Sequence, residues 1–168
     1  MGDEEGFDAM SIRNLERFWS KVEKFDGCWA WTAALTPAGY GKFAYQGKTA
    51  LAHRLAYEDA KGPIPTGLFI DHACHNRKCV NPGHLRLATP KQNMENRQAP
   101  SSHNTSGVRG VHLDKRRARP RWVAAVSHGG KHIHVGNFDT IAEAEAAVIA
   151  KRLELFTHND IDKQELTR

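Results

Sequence analysis

Cysteine is scarce in this chain, and long apolar runs are absent. The three cysteines among 168 residues, Cys28, Cys74 and Cys79, leave one without a mate in any pairing. With no secretory signal in view, they do not make a disulfide framework. No hydrophobic stretch approaches the ~18 residues needed to span a bilayer, which excludes an integral membrane protein read as helices. Residues 1–8 are acidic and carry no apolar core, so no targeting segment is expected, and the place of action is the cell interior rather than the outside. There is no internal repeat, and no heptad pattern marks a dimer seam. The length allows one or two domains with small cores.

Positive charge is present but unevenly placed. The formal net charge of +5 points toward a polyanionic partner without specifying one. Between residues 108 and 138 stand Arg109, Lys115, Arg116, Arg117, Arg119, Arg121 and Lys131 against the single acid Asp114, a net +6 over 31 residues. From Asp139 onward, seven acids outnumber four basic residues. A merely solvated surface would mix the signs more evenly.

The densest chemistry runs from Asp71 to Asn93. Four residues separate Cys74 from Cys79, and four more separate Cys79 from His84. One short loop can fold three such soft donors onto one ion, and zinc takes four N or S ligands in a tetrahedron. Cys28 is the natural fourth ligand, with His75 or His53 as alternatives. Downstream, Thr89-Pro90-Lys91-Gln92 has the form of a helix start: a Thr cap, Pro at the first position and Gln three residues after the cap. Asn93 then lies in the first turn. Asp71 and His72 close the apolar segment Leu68-Phe69-Ile70, so strand, loop, strand and helix are expected to gather Asp71, His72 and Asn93. Asp and Asn oxygens suit magnesium, which keeps positions open for phosphate and water.

Asp71-His72, Asn81 and Asn93 resemble the HNH, or His-Me finger, nucleases, whose ββα-metal motif hydrolyses DNA phosphodiesters. The Cys74/Cys79/His84 spacing is similar to the zinc-bearing homing endonucleases of that superfamily. Cys28-Trp29-Ala30-Trp31, Gly39-Tyr40-Gly41, His53-Arg54 and Gly62-Pro63-Ile64-Pro65 look like the rest of the phage and intron module, so the resemblance covers roughly residues 11–98. It implies that His72 is the general base, that Asp71 and Asn93 hold a magnesium or other divalent ion, and that Asn81 braces the loop and orients His72. The base role suits a group whose unperturbed pKa is about 6.5. Arg54 and Arg97 serve either as phosphate contacts or as surface charge.

Residues 99–107 lack apolar periodicity and read as a linker. Beyond it, Val108–His112, Trp122–Ser127 and His132–Phe138 read as three strands, with His128-Gly129-Gly130-Lys131 as turn chemistry. Thr140-Ile141-Ala142-Glu143 is a capping box, and the helix it opens can pack Ala144, Ala147, Val148 and Leu155 on the sheet. Arg109-Gly110-Val111, Trp122-Val123-Ala124-Ala125 and Val135-Gly136-Asn137-Phe138-Asp139-Thr140 resemble the APETALA/ethylene-response-factor DNA-binding domain. That resemblance implicates Arg109, His112, His132 and His134 in DNA contact, with Lys115, Arg117, Arg119 and Arg121 on phosphates. Ala125 and Ser127 stand where that family has Glu and Arg, so base specificity is not carried over. Trp122 either stacks on DNA or packs in the core.

Near the start, Leu15, Phe18, Val22 and Phe25 recur at helical spacing and predict one helix on the nuclease core. Residues 39–45 and 49–52 suggest a hairpin, followed by a short helix over 53–61. The expected protein is α+β: a zinc-stabilised ββα-metal nuclease domain at 1–98, a linker at 99–107, and a three-stranded antiparallel sheet with one packed helix at 108–168. Its expected partner is double-stranded DNA, with a homodimer as one way to cut both strands and a phage or homing role as its biology. The alternative is a non-catalytic, zinc-containing DNA-binding regulator; a zinc-ribbon module for RNA or protein leaves His72 and Asn93 idle. A fragment ending near Gln98 contains every nuclease residue and is expected to keep cleaving.

Overall fold

The computed structural model describes residues 12–97, 100, 103–116 and 118–165. The acidic residues 1–8, the linker positions 98, 99, 101 and 102, and Arg117 lie outside them. The chain divides into two compact units between Pro90 and Lys91, earlier than the sequence suggests.

In the first unit, helix α1 (Ile12–Trp19) is followed by strand β1 (Val22–Lys24), which pairs antiparallel with β2 (Trp29–Trp31). The helical spacing from Leu15 to Phe25 therefore does not continue as one helix. Val22 sits opposite Trp31 in the ladder, and Phe25 is 61% exposed. Strand pairing beneath the aromatic core outweighs helix periodicity over so short a segment. Strands β3 (Lys42–Tyr45) and β4 (Lys48–Leu51) form the expected hairpin and lead directly into α2 (Ala52–Lys61). Strand β5 (Phe69–His72) pairs antiparallel with β6 (Leu85–Ala88), placing Asp71 opposite Arg86 and His72 opposite Leu85.

The core of this unit is an aromatic cluster. Phe18, Trp31 and Phe43 lie with ring centroids 5.1–6.0 Å apart, two of the three pairs edge to face, a geometry favoured by ring quadrupoles. Leu55, Ala56, Tyr57, Ile70, Val80 and Leu85 complete it, so α2 and the β5–β6 pair share one buried interior. Gly41 is required for that packing, because a Cβ there would lie 2.7 Å from the Trp31 ring and 2.9 Å from Ala52 Cβ.

Helix α3 (Pro90–Glu95) begins at Pro90 as its capping sequence predicts, and all of it beyond Pro90 belongs to the second unit. There β7 (Val111–Asp114), β8 (Arg121–His128) and β9 (Lys131–Phe138) form an antiparallel sheet in the order β7-β8-β9, with a register irregularity at Ala124/Ala125. Strand β7 starts later than the Val108 expected. The Ser106 hydroxyl donates to the carbonyls of Val108 and Val111, and Asn104 Nδ2 reaches the same two carbonyls, so residues 104–110 form a turn. Gly110 closes it at φ +82, where a Cβ would lie 2.6 Å from the Ala125 carbonyl oxygen. Helix α4 (Ile141–Leu155) opens on the expected capping box, with both reciprocal bonds between Thr140 and Glu143. Ala144 and Val148 pack on Val111, Ala124 and Val126, with Trp122 joining this core. A further helix, α5 (Asp160–Glu165), was not foreseen. It is tied to α4 by a buried two-pronged ion pair, Arg152 Nε and Nη2 each 2.7 Å from an Asp162 oxygen.

Candidate active site and metal centre

The loop between β5 and β6 carries the soft donors, and β2 supplies the fourth. Trp31 N donates to the Lys78 carbonyl at 2.9 Å and Val80 N to the Trp29 carbonyl at 2.8 Å, so β2 runs alongside residues 78–80. Cys28 is thereby delivered to the loop. Cys28, Cys74, Cys79 and His84 place their ligand atoms within 4.8 Å of one another, and His84 Nδ1 lies 3.6 Å from both Cys28 Sγ and Cys79 Sγ. His53 and His75, the alternatives to Cys28, are not members of this group. Three sulfurs and one imidazole at such range are compatible with a structural zinc. The sulfurs already favour a thiolate: the Cys74 thiol's hydrogen bond pulls Cys79 down to about 4, and Cys74 is pushed up in exchange.

Asn81 holds this loop in shape. Its Oδ1 accepts from Gly83 N at 2.9 Å, capping the 3-10 turn Pro82–His84, and its Nδ2 donates to the Gly27 carbonyl at 2.6 Å. It thus ties the loop to the residue before Cys28. The direct partner of His72 is instead Cys79, whose carbonyl oxygen lies 3.1 Å from His72 Nε2. A carbonyl only accepts, so the neutral ring carries its proton on Nε2 and leaves Nδ1 with the lone pair. Burial holds His72 below the ordinary imidazole pKa, opposed by the Cys79 carbonyl, and the ring is neutral near pH 7.

Two residues given no catalytic role from the sequence, His53 being offered there only as an alternative zinc ligand, pack on this imidazole. The His53 ring lies edge-on at 4.8 Å between centroids, and the Tyr40 ring lies 5.9 Å away. His53 is pushed to about 3, first by burial and then by the charges of His72 and Arg54. Only the fold brings α2 against the end of β5, so spacing gave no signal. Asp71 is 6% exposed, and its Oδ2 meets Arg86 Nε at 2.9 Å and Nη2 at 2.8 Å.

Comparison with known proteins fits this arrangement. Residues 50–95 match the HNH endonuclease family. Over 103 residues the chain is 38% identical to protein 3.8 of Escherichia phage T7, covering 61% of this chain and 82% of that protein. The chain belongs to the family of that protein and carries an HNH endonuclease domain. It is also 43% identical over 70 residues to T7 protein 7.7, covering 42% of this chain and 54% of that one. A mimivirus protein named as an HNH endonuclease, L560, is 32% identical over 123 residues, covering 73% of this chain and 61% of its own length. The chain spans only about half the length of protein 7.7. No solved structure matches it.

The HNH match ends on α3, where Asn93 stands exposed within the second unit. Of the residues expected on DNA, Arg54 is half-buried on α2 beside His53, and Arg97 is exposed just after α3. His112, His132 and His134 are exposed on the sheet, and Lys115 and Arg119 are exposed in the β7–β8 loop. Arg121 is engaged internally, with Nη2 on the Asn137 carbonyl and Nη1 3.2 Å from Asp139. Arg109 departs furthest from expectation: its guanidinium is spent on three backbone carbonyls beside the HNH domain's last helix. Trp122 packs toward the core rather than standing clear for a base. Among the described residues, no helix is long and apolar enough to cross a membrane.

Proposed function

We propose that the chain hydrolyses DNA phosphodiester bonds with magnesium or another divalent ion, leaving 5′-phosphate and 3′-hydroxyl ends, in a phage or homing setting. The observation that carries this reading is the 3.1 Å pairing of His72 Nε2 with the Cys79 carbonyl inside an HNH domain. It leaves Nδ1 as the basic nitrogen on a ring that burial keeps neutral, which is what proton abstraction from an attacking water requires. Asp71 and Asn93 would hold the divalent ion, which when bound offsets charge on the scissile phosphate and leaving oxygen. Arg86 already engages Asp71 and would share that carboxylate with the ion. The Cys28/Cys74/Cys79/His84 group would hold zinc and fix the loop that carries the Cys79 carbonyl.

The second unit would supply DNA binding in the manner of an APETALA-like sheet. Support comes from the exposed His112, His132 and His134, and from Lys115, Arg119 and the basic Arg117 nearby in sequence. One active site makes one cut, so a double-strand break would need a homodimer or a second encounter.

The Asp71–Arg86 ion pair favours one rival, a DNA-binding regulator that does not cut. Relaxation of supercoiled plasmid DNA by the zinc-loaded protein, with and without added magnesium, separates the two. Magnesium-dependent nicking is expected; binding without cleavage would favour the regulator. Magnesium should be omitted rather than chelated, because a chelator would strip zinc as well.

A further inference from the structure

The last carbonyls of a helix have no partner within it, and a cation near them is favoured. Arg109 answers that need for α3. Its Nη1 donates to the Glu95 carbonyl at 2.9 Å and the Arg97 carbonyl at 2.8 Å, while Nη2 donates to the Met94 carbonyl at 3.1 Å. Arg109 is itself anchored, since Arg152 Nη1 donates to its carbonyl at 2.7 Å and its guanidinium lies 5.5 Å from the Phe156 ring. The same helix end is gripped twice more. Glu95, 5% exposed, accepts from Thr157 N at 3.1 Å and Thr157 Oγ1 at 3.3 Å, and the equally buried Asn96 accepts from Asp160 N at 3.1 Å.

We propose that Arg109 is a positioning residue for cleavage: by clamping the end of α3 it holds in place the helix that carries Asn93. This rests on the reading of Asn93 as a magnesium ligand. A basic residue in a basic segment becomes a fixture of the helix on which the HNH match ends.

The test uses the full-length, zinc-loaded chain and supercoiled plasmid DNA. Cleavage is titrated with magnesium, affinity for the same DNA is measured without added magnesium, and zinc content and helical circular dichroism are recorded. Arg109→Ala is expected to lower cleavage at least about tenfold and to raise the magnesium needed for half-maximal rate, since a misplacement of about 1 Å costs up to ~100-fold. DNA affinity should stay within about twofold, because the guanidinium is turned to carbonyls rather than phosphates. Arg109→Lys, which keeps the charge but lacks the planar fork, should fall between wild type and Arg109→Ala.

Weaker DNA binding with a flatter salt dependence and an unchanged magnesium curve would overturn the proposal, making Arg109 a phosphate contact. Unchanged behaviour overturns it too, and so does loss of helix or zinc in both variants, which would make its role general folding. Asn93→Ala in the same titration keeps the two readings apart. If Asn93→Ala cleaves like wild type, the ligand assignment fails; if it loses cleavage while Arg109→Ala does not, only the positioning role fails.

Discussion

Replacing His72 by Ala removes an imidazole that is bonded to the Cys79 carbonyl and that we propose as the general base, and the two effects differ enough in size to be told apart. The stability effect is the lost bond to the Cys79 carbonyl. Such a bond contributes about 1 kcal/mol, and orphaning the buried acceptor adds about 1–3 kcal/mol. The packing lost against His53 and Tyr40 adds to this, so the melting temperature of the variant is recorded beside its activity against the roughly 5–15 kcal/mol that holds a domain folded. The catalytic effect is larger, because a positioned general base contributes about 10²–10⁴-fold, or roughly 2.7–5.4 kcal/mol of barrier. Single-turnover relaxation of plasmid DNA at saturating magnesium should therefore slow at least about 100-fold, with zinc content unchanged and DNA affinity nearly so. A variant that is folded at the assay temperature and still shows this loss has lost catalysis and not structure. Near-wild-type turnover by His72→Ala would refute the assignment of the base.

Elemental analysis should find one zinc per chain, and Cys74→Ser should lose it and melt at lower temperature, since a structural zinc's binding free energy is folding free energy; wild-type protein prepared without chelator and free of zinc would end that reading. Lys115→Ala and Arg119→Ala should each flatten the slope of log affinity against log salt by about 1, with Arg121→Ala giving less because Asn137 and Asp139 already engage it; equal slopes throughout would remove this loop from the DNA footprint. A fragment ending at Arg97 should keep its zinc group but lose magnesium-dependent cleavage, because Met94, Glu95 and Asn96 lose the partners supplied by Arg109, Thr157 and Asp160; a fully active fragment would show that α3 needs no such support.

That last outcome is the reverse of what the sequence suggests, and the reason lies in what spacing can encode. The Cys74/Cys79/His84 loop is local, so its donors and the capping signals around it are readable from residue intervals alone. The hairpin, the start of α3 and the capping box of α4 are equally local. Cys28 joins the group only because Trp31 and Val80 exchange backbone bonds with residues far along the chain. His53 reaches His72 because α2 packs against β5, and Tyr40 comes from the segment before β3; the family resemblance includes both residues, but their intervals give neither a place beside His72. Val22 and Phe25 mislead for the opposite reason. Apolar spacing fits a helix, but pairing with Trp31 places Val22 in a strand and leaves Phe25 in solvent.

The structure shows which of the counted charges are already engaged within the chain. The count over residues 108–138 already sets Arg116 against Asp114, 3.0 Å away, but it does not register that Arg109 serves three carbonyls or that Arg121 lies 3.2 Å from Asp139. Lys115, Arg119 and Lys131 are the exposed cations among the described residues of that segment outside these pairings. The open sheet face is marked by His112, His132 and His134, whose rings offer hydrogen-bonding nitrogens. If this face meets DNA, it does so more through hydrogen bonds and shape than through release of counterions. The Arg109 guanidinium acts on the end of α3, and the division between the two compact units, after Pro90, falls inside the stretch that matches the HNH family.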